Sequence, residues 1–314
     1  MRQLRLVGCG SAYFLLAPCL LFQYPLSSQN EFTFSDNVNL VLLDASVKDP
    51  HAGYVLGLQK ENFSVTDDGK PQVITQFGNV DAPVTLGLVV DNSGSMRTKR
   101  DEVLQAGLAF ARASNARDEF FVVNFNNTVV PGLPPHMPFT DSLPALQRAL
   151  YYGRVGGQTA LYDAISYSLH HLELGHREQR TLIVVSDGGD NVSKISRADL
   201  LDQIESSRAT IYTIGLADPE NRDLNPAVLR KFAAISGGEY FQPKSLEDVL
   251  PIFERISKDI RSRYTIGFVP GEFPGHGTDK RVVRTIKVSA SKAGRRLSVR
   301  ARTTYRIPSP ADKV

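Results

Sequence analysis

Asp91, Ser93 and Ser95 alternate along the segment Asp91-Asn92-Ser93-Gly94-Ser95, which directly follows the apolar run 84–90. A carboxylate and two hydroxyls spaced two apart put three oxygen donors on one loop. Two more donors stand at comparable junctions: Thr159 in Gly156-Gly157-Gln158-Thr159-Ala160, and Asp187 in Val184-Val185-Ser186-Asp187-Gly188-Gly189. Oxygen-only donors suit a hard dication. Mg²⁺ takes octahedral oxygen at roughly 2.0–2.1 Å and usually keeps several waters. Ser93, Ser95 and Thr159 are the expected direct ligands of Mg²⁺ (or Mn²⁺), with Asp91 and Asp187 holding its waters and balancing charge. Neutral direct ligands leave such an ion electron-poor, so an Asp or Glu carboxylate from a protein partner can complete its shell. Gly94, Gly156, Gly157, Gly188 and Gly189 let the loops turn sharply and approach closely. Taken alone, 91–95 is equally well an Asx-turn or a helix N-cap. Three such loops at strand ends favour the metal.

The elements that must position these loops alternate. Apolar runs at 84–90, 119–125, 181–186 and 209–215, and a shorter one at 239–242, predict strands. Amphipathic stretches at 99–114, 142–151, 161–174, 196–207, 225–235 and 245–260 predict helices, with Ser196 and Asp199 as a capping box. Strands alternating with helices predict an α/β fold with a doubly wound, mainly parallel sheet. Ligands bind outside the carboxyl ends of such strands. The proline-rich stretch 129–140 is expected to be a loop.

The three segments together resemble a von Willebrand factor A-type domain, matching its metal-ion-dependent adhesion site. The resemblance implies a sheet flanked by helices, a Mg²⁺ or Mn²⁺ site and recognition of an acidic side chain on a protein ligand. It also implies loops around Gly156, Gly157, Gly188 and Gly189 that select the partner. Further out, Gly57-Leu58-Gln59-Lys60-Glu61-Asn62-Phe63-Ser64-Val65-Thr66-Asp67-Asp68-Gly69-Lys70 and Arg263-Tyr264-Thr265-Ile266-Gly267-Phe268 are similar to the flanks of the secreted acidobacterial VWFA-related domain family.

Those flanks carry β patterning. Residues 38–44, 62–66 and 72–77 precede the α/β region, the last two joined as a hairpin through 67–71. Residues 263–268, 282–288 and 297–303 follow it. Neither group is large enough to bury a good core alone, so 36–83 and 262–307 are expected to form one β-sandwich, with 84–258 inserted between them. Charge agrees: 36–83 holds seven acidic and three basic residues, 261–314 three acidic and thirteen basic.

Residues 1–28 have the shape of a secretory signal, with Arg2 and Arg5 before the apolar stretch 11–22 and small residues at Ser27 and Ser28. Export to the periplasm or exterior is the expectation. Both cysteines, Cys9 and Cys19, lie there, so the mature chain would have neither thiol nucleophile nor disulfide. No later stretch reaches membrane-spanning length, and no transmembrane anchor is expected.

No His-Glu-x-x-His, no Gly-x-Ser-x-Gly and no phosphate-binding loop occurs. His170, His171 and His176 are expected at a solvated helix end. The basic strands near the C-terminus lack the interleaved aromatics that single-stranded nucleic acid asks for, so no nucleic-acid partner is expected. Asp163 is expected on the first turn of its helix, and Asp190 supporting the Gly188-Gly189 turn. The expected function is thus a metal-dependent protein-binding module and not an enzyme. The alternative is a structural protein of the envelope whose metal only stabilises loops.

Overall fold

The computed structural model describes residues 40–78, 81–216, 225–271 and 283–306. The signal-like segment, both cysteines, residues 36–39, His276 and Arg281 lie outside them. The described chain opens with β1 (Val41–Asp49), β2 (Gly53–Tyr54), β3 (Phe63–Asp67), β4 (Lys70–Gln72) and β5 (Ile74–Gly78). The alternating region follows: β6 (Val84–Asp91), α1 (Arg100–Ala113), β7 (Glu119–Phe125), β8 (Val129–Pro131), α2 (Leu143–Leu150), α3 (Leu161–Glu173) and β9 (Gln179–Ser186). It ends with α4 (Arg197–Ser206), β10 (Thr210–Gly215), α5 (Pro226–Ser236), β11 (Tyr240–Phe241) and α6 (Val249–Arg261). Four strands close the chain: β12 (Arg263–Phe268), β13 (Val283–Lys292), β14 (Arg295–Arg300) and β15 (Thr304–Arg306).

The first sheet has the order β11-β10-β9-β6-β7-β8. β6 lies in its middle, parallel to β7 on one side and to β9 on the other. All eight of its residues are buried, which is why it reads in sequence as an unbroken apolar run. The chain winds from β6 outward to β7, then returns to the other side of β6 as β9 and continues to β10 and β11. The winding therefore reverses between β6 and β9, and their carboxyl ends carry Asp91 and Asp187. Stretch 129–140 is not all loop. Val129–Pro131 pairs antiparallel with β7, and Thr140 bridges Phe120, so this edge is sealed twice.

Helix ends follow local chemistry. The Ser196 hydroxyl accepts the Asp199 N–H at 3.1 Å and donates to its carboxylate at 2.7 Å, opening α4. Pro226 opens α5 without wasting a donor, and its cap Asn225 accepts the Val228 N–H at 3.3 Å.

The second sheet joins both ends of the chain in the order β4-β3-β13-β14-β1-β12-β5. β1 pairs antiparallel with β12 from Val41↔Phe268 to Ser46↔Arg263, and β13 with β3 from Ile286↔Asp67 to Ala290↔Phe63. Leu43, Ala45, Val47, Val65, Tyr264, Ile266, Phe268, Ile286 and Leu297 fill one core, with Phe63, Phe77 and Tyr264 ring to ring at 5.0–5.9 Å. This is one continuous sheet and not the two-layer sandwich expected. Its edge strands β4 and β5 are separated by Val73 alone, so the sheet must curl on itself, barrel-like. The expected strand 72–77 is broken at that residue, which is 80 % exposed. Only β4 makes the hairpin with β3, while β5 crosses to β12. Pro71 lacks an N–H, which suits an edge position.

The basic surplus of the last strands also pairs differently. Arg284 meets Asp67 and Asp68, each at 3.0 Å, in the acidic first segment. Arg300 instead meets Asp259 at 2.5 Å and Glu239 at 3.2 Å, and Arg306 meets Glu205 at 3.2 Å, all on the α/β side. Charge thus holds the two sheets to each other as well as the barrel to itself.

Candidate metal and partner-binding site

Because β6 is buried along its length, Asp91 emerges at its end fully enclosed. One carboxylate oxygen accepts the Ser93 N–H at 2.8 Å, so the Asx-turn is present. The other accepts the Ser186 hydroxyl at 2.7 Å across the crevice. Ser93 Oγ and Ser95 Oγ are 3.2 Å apart, and Ser95 Oγ donates to Asp187 Oδ2 at 2.7 Å. A hydroxyl has one proton. Ser95's is committed to Asp187, and lone pairs on both hydroxyl oxygens remain. Asp187 Oδ1 accepts the Gly189 N–H at 3.1 Å and Ser186 Oγ the Gly188 N–H at 3.1 Å, which hold the Gly188-Gly189 turn.

Thr159 arrives differently from the sequence expectation. Its loop joins α2 to α3 and follows no strand. It is fastened to the first loop by Gly94 N–H on Gly157 O at 3.1 Å and Gly156 N–H on Asn92 O at 2.8 Å. Asn191, just beyond Asp187, accepts the Thr159 N–H at 2.8 Å through its side chain and donates its own N–H to Thr159 O at 3.0 Å. All three loops are thereby tied together by hydrogen bonds, and Thr159 is buried.

Gly157 shows how tight this is. Its φ is +88°, and a Cβ there would lie 1.8 Å from Asn127 Oδ1, the acceptor of the Gln158 N–H at 2.9 Å. Gly157→Ala is expected to destabilise the protein by about 2 kcal/mol through left-handed strain and loss of that bond. Faster amide exchange at Gln158 and Thr159 would mark the displaced loop, and unchanged exchange would show that Asn127 simply yields.

Two carboxylates in one buried crevice are electrostatically costly. Burial pushes Asp91 up to about 6, against bonds from Ser93 and Ser186 and with the Asp187 charge adding to the rise. Buried charges need pairing or a metal. Among the described residues no group of three His, Cys, Asp or Glu side chains could hold an ion. The donor set here is of another kind, two carboxylates with serine hydroxyls and a neighbouring threonine. It fits a hard oxygen-seeking cation.

Asp163 stands on the first turn of α3 as expected, whereas Asp190 departs from its expected task. Asp163 accepts the Lys194 and Ile195 N–H groups at 3.0 Å, pinning the loop after Asp187. Asp190 accepts the Tyr162 N–H at 3.0 Å and so caps the first turn of α3, leaving the Gly188-Gly189 turn to Ser186 and Asp187. The sequence reading missed Ser186, Asn92 and Asn191 altogether. Each is a polar residue within one residue of a strand end or four of a proposed ligand, the one signal that could have marked them. Asn92 Oδ1 accepts from Arg100 Nε at 2.9 Å, anchoring the first loop to α1.

His170 and His171 stand in the last turn of α3, with His170 exposed as expected of a solvated helix end. The His171 ring lies 4.5 Å from Phe121 and 5.0 Å from Phe139, with Nε2 2.8 Å from Pro138 O. His176 lies beyond α3, bonded through N–H and Nδ1 to Glu119 at 2.6 and 3.1 Å.

A mainly parallel sheet whose central strand ends in an Asp-x-Ser-x-Ser loop defines the class: a von Willebrand factor type A domain. Residues 86–189 match that family's sequence pattern, "von Willebrand factor type A domain". The chain carries such a domain. Its fold is similar to that of a von Willebrand factor type A protein from Catenulispora acidiphila, with TM-score 0.50 and 15% identity over 86% of this chain and 75% of that one. Weaker likenesses include the vWF domain of the type V pili tip protein Mfa5 from Porphyromonas gingivalis, with TM-score 0.45 and 12% identity over 57% and 95% of the two chains. Another is a mutant of the PilB minor pilin from Streptococcus sanguinis, with TM-score 0.47 and 12% identity over 58% and 62%. No curated protein matches the sequence. Domains of this type generally mediate protein–protein interaction and adhesion, and are typically not enzymes.

Proposed function

We propose that this protein is a metal-dependent protein-binding module that acts outside the cytoplasm. Ser93, Ser95 and Thr159 hold Mg²⁺ or Mn²⁺ through their hydroxyl oxygens, and Asp91 and Asp187 hold it through water. The observation that supports this most is the bond chain from Ser93 through Ser95 to Asp187. It leaves hydroxyl lone pairs unused beside two buried carboxylates. When bound, the cation supplies a Lewis-acidic point for an Asp or Glu of the partner. The chain's own contribution is to keep its direct donors neutral, so that the partner's charge is wanted, and to shape access through the loops at Gly156, Gly157, Gly188 and Gly189. Among the described residues no helix is long and apolar enough to cross a membrane. The signal-like start supports export.

Calorimetry with Mg²⁺ and Mn²⁺ tests this directly. Ser93→Ala is expected to weaken binding at least tenfold while leaving the chelated protein's melting temperature within about 2 °C, since one neutral hydroxyl bond is worth about 1 kcal/mol. Capture of an acidic protein ligand should then disappear in chelator and in the variant alike. Metal binding that raises stability but never affects partner capture would move the assignment to a structural site.

A further inference from the structure

β13 and β14 are paired for three residues only, from Ala290↔Leu297 to Lys292↔Arg295. β13 next meets the same stretch of chain at Thr285↔Thr304, where β15 begins. In between, Ser298 to Arg300 pair with β1, and a cavity of about 260 Å³ opens between the two separating strands. Its apolar lining includes Val288, Leu297 and Val299. Its charged lining is Lys287, Arg296 and Arg302, with no acidic side chain.

Arg302 is the unusual member. It is 8 % exposed. Nη2 donates to Ile204 O at 3.2 Å in the last turn of α4, and among the described residues this is its only hydrogen bond, with no ion pair. A guanidinium carries five donors. The other arginines buried in this sheet each face a carboxylate, Arg284 at Asp67 and Arg263 at Asp44, as does the half-buried Arg300 at Asp259. Burial without such a partner lowers the Arg302 pKa to about 10, which the more distant charges of Asp44 and Glu205 only partly offset. Capping α4 uses one donor and explains neither the cavity nor the two further cations on its wall. A buried cation left in this state is costly, and an anion seated in the cavity would relieve it.

We propose that this cavity binds a small organic acid, its carboxylate on Arg302 and its hydrocarbon part against Val288, Leu297 and Val299. The volume suits the size, being roughly eight waters at about 30 Å³ each, room for an acid of about six carbons. Lys287 and Arg296 at the mouth favour anions over neutral analogues. This site is independent of the metal assignment, lying in the other sheet.

The test is titration of the full chain, with Mg²⁺ present and ionic strength held constant with chloride, using sodium hexanoate. Tenfold excess over Kd is expected to raise the melting temperature by about 2–4 °C, with one-to-one binding by calorimetry. Arg302→Gln should weaken binding at least tenfold. Because that variant can fail to fold, the double substitution Lys287→Ala, Arg296→Ala serves beside it: both residues are exposed, and hexanoate affinity should fall several-fold with melting in chloride unchanged. Three results would overturn the proposal: hexanoate protecting no better than chloride, phosphate protecting equally well, or the double variant binding as the wild type does.

Discussion

Asp259→Ala is expected to destabilise the protein by about 3 kcal/mol, the low end of what breaking a buried ion pair costs. Asp259 stands on α6 in the α/β part, yet its partners come from both sheets. It accepts the Ser46 hydroxyl of β1 at 2.7 Å and pairs with Arg300 of β14 at 2.5 Å. It also accepts from Tyr212 of β10, which in turn takes Arg263 Nη2 of β12 at 2.7 Å. Removing it strands two guanidinium groups in the interface, softened only by Glu239 on Arg300 and Asp44 at 3.8 Å on Arg263. Burial opposes the Asp259 charge, but Arg300 and Arg263 outweigh it and hold the carboxyl below its ordinary 3.8. A carboxylate depressed in the folded state contributes stability fully above its unfolded value, and loses it as pH falls through the folded one. The gap between wild type and variant should therefore be constant from pH 8 to 5 and begin to narrow below about pH 4. Urea midpoints at pH 7, 5 and 3 read this. A gap as wide at pH 3 as at pH 5 would assign the loss to packing.

Asp91→Asn should act in two opposite directions. It is expected to abolish Mg²⁺ binding, and to stabilise the chelated protein at pH 7 by up to about 3 kcal/mol. The sign comes from a raised carboxyl. With a folded value of about 6 against 3.8, the folded state holds the proton longer than the unfolded one, so stability falls as pH rises between these values. Above about pH 6 the full penalty stands, about 1.4 kcal/mol for each tenfold weakening of the acid. Chelated wild type should thus melt higher at pH 4.5 than at pH 7, whereas the variant should lack that slope. A metal binds the ionised form, so Mg²⁺ should flatten the slope as well. Equal stability of wild type and variant in chelator at pH 7 would mean the crevice tolerates its charge without a cation.

Local pattern carried the α/β half well. Strands at 84–90 and 119–125 are buried on both faces and announce themselves as apolar runs. Ser196 and Asp199 mark a helix start whose first bond, the Ser196 cap on the Asp199 N–H, the structure reproduces, while the return bond runs from the Ser196 hydroxyl and not from its N–H. The curl of the second sheet was not legible, because it depends on pairs such as Leu43↔Ile266 more than two hundred positions apart. The break at Val73 was hidden for the same reason, since residues 72–77 alternate acceptably as one strand. At the candidate site, the oxygen donors could be picked out by residue type. The bonds that assemble them could not, since Asp163 and Asp190 serve each other's loops across about thirty residues.

The pairing of β1 with β12 returns both ends of the α/β part to one place. The chain enters β6 at Val84 and leaves α6 for β12 at Arg261, both at the amino ends of the parallel strands, where Gln179 also touches Thr265 at 3.2 Å. The candidate site lies at the carboxyl ends, some eight residues away along β6, or about 26 Å at 3.3 Å each. Tension between a partner held at that tip and a barrel fixed elsewhere would thus run lengthwise through β6 and β9. It would shear their parallel ladders as a whole and not peel them one bond at a time.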